Sequence, residues 1–196
     1  MEEQVKVKRV NILYMLGYIL GPIILLFLLA FLSVTMFKGN DKIGTILSII
    51  AFALVMGWYC WFAPRLYRKL VKKFESELDA EGFVRNQTFT SKNMTVIVDT
   101  VNGRIAMIFY WNPFKKYVFS AKQIDKAWVD DGRGGSGFME GSSYVRFCFT
   151  IGNKKFKVYT FTSNQRHRMD SNYILDGISK ADLMVKVLEE AKNRAE

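Results

Sequence analysis

Histidine is nearly absent from this 196-residue chain: His167 is the single one, accompanied by two cysteines, Cys60 and Cys148. That scarcity removes several chemistries at once. Neither CxxC nor HxxxH spacing occurs and no carboxylate set clusters, so a metal centre has no ligand set. His167 lies in SNQRHRMD between two arginines, with no carboxylate or thiol at catalytic spacing to orient it as a base. The cysteines sit one near the end of an apolar run and one in an expected strand. They make no disulfide framework and point to a reducing compartment for the polar part of the chain. The glycine-rich GRGGSG at 132–137 joins two expected antiparallel strands, and no GK[ST] follows. Phosphate cradles join a strand to a helix N-terminus, so a flexible loop is expected instead. Asp130 and Asp131, even with Asp99 or Glu140, offer a hard cation few ligands and read as solvated acids. No catalytic residue, no metal and no cofactor is expected, and the chain reads as a non-enzyme.

Charge is missing as well, from two long stretches. Val10–Phe37 (VNILYMLGYILGPIILLFLLAFLSVTMF) holds no ionisable group except two tyrosines, and Ile43–Pro64 (IGTILSIIAFALVMGWYCWFAP) follows after KGNDK. A bilayer core about 30 Å thick takes roughly 20 apolar residues of helix. Both runs reach that length, and in lipid a helix satisfies its own backbone polar groups. The expectation is an N-terminal two-helix transmembrane hairpin over residues 1–64, with spans at 11–37 and 43–64. The first run far exceeds the 7–15 residues of a signal-peptide core and lacks a small-x-small cleavage pattern, so it reads as a retained anchor. Gly17 and Gly21 form a GxxxG at which helices pack closely, within the hairpin or between protomers of a homo-oligomer.

Formal charge is +10, and it divides unevenly. Residues 1–75 carry ten Lys/Arg against four Asp/Glu, and residues 76–196 carry eighteen against fourteen. The excess beside the apolar runs favours anionic lipid headgroups over nucleic acid as its partner. Lys6, Lys8 and Arg9 precede the first run, Lys38 and Lys42 lie between the two, and Arg65, Arg68, Lys69, Lys72 and Lys73 follow the second. By the positive-inside rule both termini are expected in the cytoplasm, at a bacterial inner membrane. Tyr14 and Tyr18, then Trp58, Tyr59 and Trp61, form the matching aromatic belt. Residues 65–82 read as a basic amphipathic juxtamembrane helix ending near Ala80 and stopped by Gly82, with Leu66, Leu70, Phe74 and Leu78 on one face. Its charges oppose the helix dipole, basic first and acidic last, an order that suits headgroups at its start.

From Phe83 the period changes to two. Seven short strands are expected: 83–90, 94–100, 104–111, 117–120, 124–130, 144–151 and 155–162, with Asn102-Gly103 and Gly152-Asn153 as turns. In YVRFCFTI, Val145, Phe147, Phe149 and Ile151 share the packed face, while Tyr144, Arg146, Cys148 and Thr150 share the wet one. Ser179 and Asp182 suggest a capping box for a C-terminal helix, and Gly177 argues against an earlier start.

The run TVIVDTVNGRIAMIFYW followed by YVFSAKQIDKAWVDDG resembles the membrane-anchored bacterial pleckstrin-homology-like (PH-like) proteins. The resemblance covers residues 83–194. It implies an α+β membrane protein: a seven-stranded antiparallel β-barrel capped by a C-terminal helix, over a domain at 83–196. It implies a cytoplasmic adaptor or sensor module that binds a protein partner, and it brings no catalytic residues. Basic loop residues Lys115, Lys116, Lys154, Lys155, Arg166 and Arg168 are the candidates for a ligand or anionic lipid. The alternative function is an oligomeric membrane effector, pore-forming or membrane-perturbing, of defence or toxin type. The spans hold no charged residue and few polar ones, such as Ser33, Thr35, Thr45 and Ser48, which gives a hydrated path little support.

Overall fold

A computed structural model describes residues 12–36, 41–135 and 140–195. The chain divides into two compact units, Lys8–Phe74 with Trp111–Phe114, and Glu75–Tyr110 with Lys115–Glu196. The expected contributions of Lys6, Lys8, Arg9 and Lys38 lie outside the described residues.

In the first unit, α1 (Ile12–Met36) and α2 (Asp41–Gly57) pack against one another. A five-residue π turn, Trp58–Phe62, carries α2 into α3 (Ala63–Ala80) without a break, and α3 from Glu75 onward belongs to the second unit. Pro64 explains that turn. It has no N–H to give the carbonyl of Cys60, and its ring crowds that oxygen. One wide turn, in which Ala63 N–H donates to Trp58 O, relieves the crowding and lets the helix continue.

The two-helix transmembrane hairpin is corrected here. Among the described residues one helix is long and apolar enough to cross a membrane, the 39-residue Lys42–Ala80. The apolar stretch described in α1, Leu20–Phe31, is shorter than the roughly 20 residues a span requires. A multi-pass arrangement therefore has no support, and neither does the placement of both termini on one side.

α3 ends where the glycine predicted. Gly82 takes φ +71°, Phe83 N–H donates to Leu78 O at 2.9 Å, and Gly82 N–H donates to Asp79 O. This is a Schellman stop, and its apolar partners Leu78 and Phe83 are both buried. The buried stripe along α3 is Tyr67, Val71, Phe74 and Leu78; Leu66 and Leu70 are only half-buried.

The second unit holds two antiparallel sheets. The first has the order β1–β2–β3–β4: Gln87–Thr90, Met94–Asp99, Arg104–Phe109 and Asn112–Ser120. The second has the order β5–β6–β7: Lys126–Asp130, Gly141–Ile151 and Lys154–Arg168. A long helix, α4 (Asn172–Arg194), follows. Inner-face residues of both sheets, among them Val96, Met107, Phe119, Phe147 and Phe156, share one core with Ile174, Met184 and Leu188 of α4.

These sheets do not close into the expected β-barrel. A single 3-10 turn, Ala121–Gln123, lies between β4 and β5, which end their respective sheets. At the opposite edge, no ladder joins the β1–β2 hairpin to β7. Instead Ser91 Oγ and Asn93 Nδ2 donate to the backbone carbonyls of Tyr159 and Lys157. The space a barrel would close is packed by α4, which touches β2, β5, β6 and β7. Edges satisfied by side chains and a helix need no closure.

Other elements differ from expectation in extent. β4 begins at Asn112, ahead of Pro113, which an edge strand tolerates because its N–H side needs no partner. β7 runs on to Arg168, and α4 starts at Asn172 with Gly177 inside it. A Cβ at Gly177 would lie 2.9 Å from Phe161 Cβ and 3.2 Å from Val145 Cβ. That glycine marks the place where helix and sheet approach too closely for a side chain.

Candidate membrane-surface and binding faces

The charge order after Pro64 resolves into geometry. Arg65, Arg68, Lys69, Lys72 and Lys73 are all exposed, on the side of α3 away from its buried stripe, and none makes an ion pair among the described residues. Directly before them, Trp58 stacks on Phe62 with ring centroids 4.7 Å apart, and the Arg65 guanidinium lies 3.7 Å above the Trp61 ring. Trp61 is exposed while Trp58 is half-buried. The apolar half of one helix thus meets its basic half at an aromatic collar.

The end of that helix is held by a buried carboxylate. Asp99, at the end of β2, is fully buried. Its Oδ1 accepts from the backbone N–H groups of Val101 and Asn102, and its Oδ2 from Val84 N–H, Asn102 Nδ2 and Arg104 Nη2. Burial pushes its pKa up, but the donors of Asn102, Val84 and Arg104 outweigh this and hold it below the ordinary carboxylate value. Asn102 and Arg104 also donate to Gly82 O, Thr100 N–H donates to Asn86 Oδ1, and Arg85 pairs with Asp79. Lys116 of β4 pairs with Glu77. The last turns of α3 are therefore clamped to the first sheet.

The outer face of the second sheet is built differently. Register brings Asp130, Arg146 and Tyr159 into one row, Trp128, Cys148 and Lys157 into the next, and Lys126, Thr150 and Lys155 into a third. Arg146 donates to Asp130 Oδ2 at 2.7 and 3.0 Å and to Tyr159 Oη at 3.0 Å, and lies over the Tyr144 ring at 4.4 Å. Burial would raise the Asp130 carboxyl, yet Arg146 holds it below its ordinary value. Lys155 lies 4.5 Å and Lys126 5.7 Å from the centre of the Trp128 ring. Cys148 is buried, and burial raises its thiol pKa, which leaves it a poor nucleophile.

The six loop candidates do not converge. Lys115 and Lys116 lie within β4, and Lys154 and Lys155 open β7. Arg166 and Arg168 sit at the far end of that 15-residue strand, where Arg166 donates to Gly141 O and Arg168 pairs with Asp170. At about 3.3 Å per residue, Lys155 and Arg166 are up to about 36 Å apart along the strand. His167 bonds to Ser163 Oγ at 2.9 Å and packs edge-on against Phe161 and Tyr173. Among the described residues no carboxylate orients it.

The glycine-rich loop is tied at its base by paired Gly134–Gly141 backbone bonds. Gly132 lies against the Tyr144 ring and Gly134 against the Arg166 guanidinium. Its acids are engaged: Asp131 and Glu140 with Arg133. Residues 136–139 lie outside the described residues.

In α1, a Cβ on Gly21 would meet nothing within 4 Å, so its glycine is not required by close helix contact within the chain. Gly17 lies in the same helix. Gly21 and Pro22 instead border an apolar groove of about 470 Å³ with Leu25, Ala51 and Trp58. Thr35 and Ser48 hydroxyls donate to the carbonyls four residues back, Phe31 O and Gly44 O.

Sequence reasoning missed the Asp99 clamp and the Lys126–Trp128–Lys155–Lys157 cluster. Lys126 and Trp128 lie two apart in one strand and Lys155 and Lys157 two apart in another, and only the strand register joins the two pairs. Comparison with protein-family models, curated proteins and solved structures finds no match.

Proposed function

We propose that this chain is a non-catalytic adaptor or sensor module, held at the cytoplasmic face of a bacterial inner membrane by the Lys42–Ala80 helix. The observation that carries the reading is the collar in that helix. An apolar segment passes through Trp58–Phe62 directly into five exposed cations with no ion-pair partner. Exposed cations beside anionic headgroups contribute about 1 kcal/mol each. The same charges place the domain that follows on the cytoplasmic side by the positive-inside rule.

The Asp99 clamp supports the module half of the reading. It fastens the end of the helix, which belongs to the β unit, to the first sheet through charge-assisted bonds. A sheet face that carries exposed cations supports binding of a cytoplasmic protein.

The test uses the full chain in bacterial cells. After an alkaline carbonate wash the protein is expected in the membrane pellet, and a fluorescent reporter fused to its C-terminus is expected to mature in the cytoplasm. Recovery in the soluble fraction overturns the anchor. Activity of a C-terminal alkaline phosphatase fusion, which requires export, overturns the orientation.

A further inference from the structure

We propose that the outer face of β5–β6–β7 binds an extended acidic segment of a partner protein, through Lys126, Lys155 and Lys157 grouped around Trp128. The inference rests on the adaptor reading and names the chemistry of its partner.

Three observations carry it. First, the three lysines come from two strands and are brought together by register alone: Lys126 faces Thr150, which faces Lys155, and Lys157 lies one row further along β7. At strand spacings of about 4.8 Å and a rise of about 3.3 Å per residue, the Lys126 and Lys155 stems are about 10 Å apart, and those of Lys155 and Lys157 about 7 Å. Alternate side chains of an extended segment repeat at that second distance.

Second, no carboxylate pairs directly with the lysines of this face among the described residues, although Lys155 lies within electrostatic reach of Asp130. None of the three lysines makes an ion pair among the described residues. Asp130, the carboxylate in the neighbouring row, is engaged by Nε and Nη2 of Arg146.

Third, the indole holds the ammonium groups in place. Lys155 and Lys126 lie 4.5 and 5.7 Å from its centre. A lysine already resting on an aromatic ring loses less side-chain freedom when it pairs with a carboxylate.

The same geometry disfavours other polyanions. Single-stranded nucleic acid needs open ring faces for its bases to stack on, and here lysines lie against Trp128. Bilayer insertion needs a protruding apolar side chain, whereas Trp128 is half-buried in the middle strand row of a sheet face.

The experiment uses the full chain in nanodiscs of uncharged phosphatidylcholine. The probe is a fluorescein-labelled dodecapeptide with glutamate at every second position. Its anisotropy is expected to rise on binding, with an affinity that falls as salt increases. The variant Lys126→Gln/Lys155→Gln/Lys157→Gln is expected to weaken binding about tenfold. The variant Arg68→Gln/Lys72→Gln, on α3, is expected to change it less than about twofold. Both variants are checked for a thermal midpoint within about 3 °C of the native chain.

Binding that survives the triple substitution overturns the proposal, as does the absence of peptide binding. Loss in the triple variant of binding to anionic vesicles or to single-stranded RNA, with no peptide binding, reassigns the face and also overturns it. Carbonate extraction of the triple variant keeps the two readings separate. Membrane retention with no peptide binding sinks only this inference; loss of retention in the native chain sinks the adaptor reading.

Discussion

The two sheets of the second unit share a core but use their outer faces in opposite ways. In the first sheet every residue of β2 is buried: Met94, Val96 and Val98 on the core side, Thr95, Ile97 and Asp99 on the other. β3 repeats the pattern, with Ala106 and Ile108 buried opposite the core. In the second sheet Val145, Phe147 and Phe149 enter the core, while Arg146 and Thr150 remain half-exposed beside Trp128 and the lysines. One sheet is structural on both faces and holds the end of the long helix. The other is structural on one face and leaves its second face to charge. A strand buried on both sides reads as a continuous apolar run, and one buried on a single side alternates. MTVIVD against YVRFCFTI shows that difference directly.

The comparison can be broken first at Asp99. Asp99→Ala removes the shared buried acceptor of five part-buried hydrogen bonds and is expected to cost about 3–5 kcal/mol, measured by chemical denaturation of the full chain in detergent. Its pH dependence has a defined sign. Asp99 and Asp130 are held below the ordinary carboxylate value in the folded protein, so their stabilisation is present above about pH 4 and is lost as acid takes the pH down through the folded values. Asp99→Ala is expected to flatten the acid limb of a stability profile, and an unchanged limb would show that the clamp does not titrate.

The next effect concerns the second face of the first sheet. Ile97→Ala is expected to destabilise by about 3 kcal/mol, as for a buried aliphatic side chain. A cost below about 1 kcal/mol would mean that this face is not packed. On the second sheet the corresponding limit is where α4 lies against it. Gly177→Val is expected to cost about 2 kcal/mol by overpacking against Phe161 and Val145, read as a lowered thermal midpoint. The smallest effect is expected at Thr150→Ala, within about 0.5 kcal/mol, because that side chain lies on the half-exposed face. A loss comparable to that of Ile97→Ala would erase the distinction between the sheets.

Much of the fold was legible because it rests on local periodicity. The strand segments of MTVIVD, RIAMIF and YVRFCFTI, the stop at Gly82 and the turn at Gly152 each follow from patterns within about ten residues. Gly177 was misread for the converse reason. As a helix interior residue it costs about 1 kcal/mol against alanine, and only the approach of Phe161 and Val145 shows why it is there. Closure of the sheets was misjudged on similar grounds, since Ser91 and Asn93 cap the edge beside β7 and α4 packs on the inner sheet faces.

By itself the sequence determined most strand segments of the second unit and the apolar and basic halves of the long helix. These depend on side-chain period, on length against a bilayer and on composition, which are all local or additive. Tertiary structure alone decided which charges meet. Asp99 lies 15 residues from Val84, and Lys126 about 30 from Lys155, and a register shift of one residue would turn each lysine to the opposite face of the sheet. Pairing at that separation is set by which faces the core can bury, and that is a property of the assembled sheets.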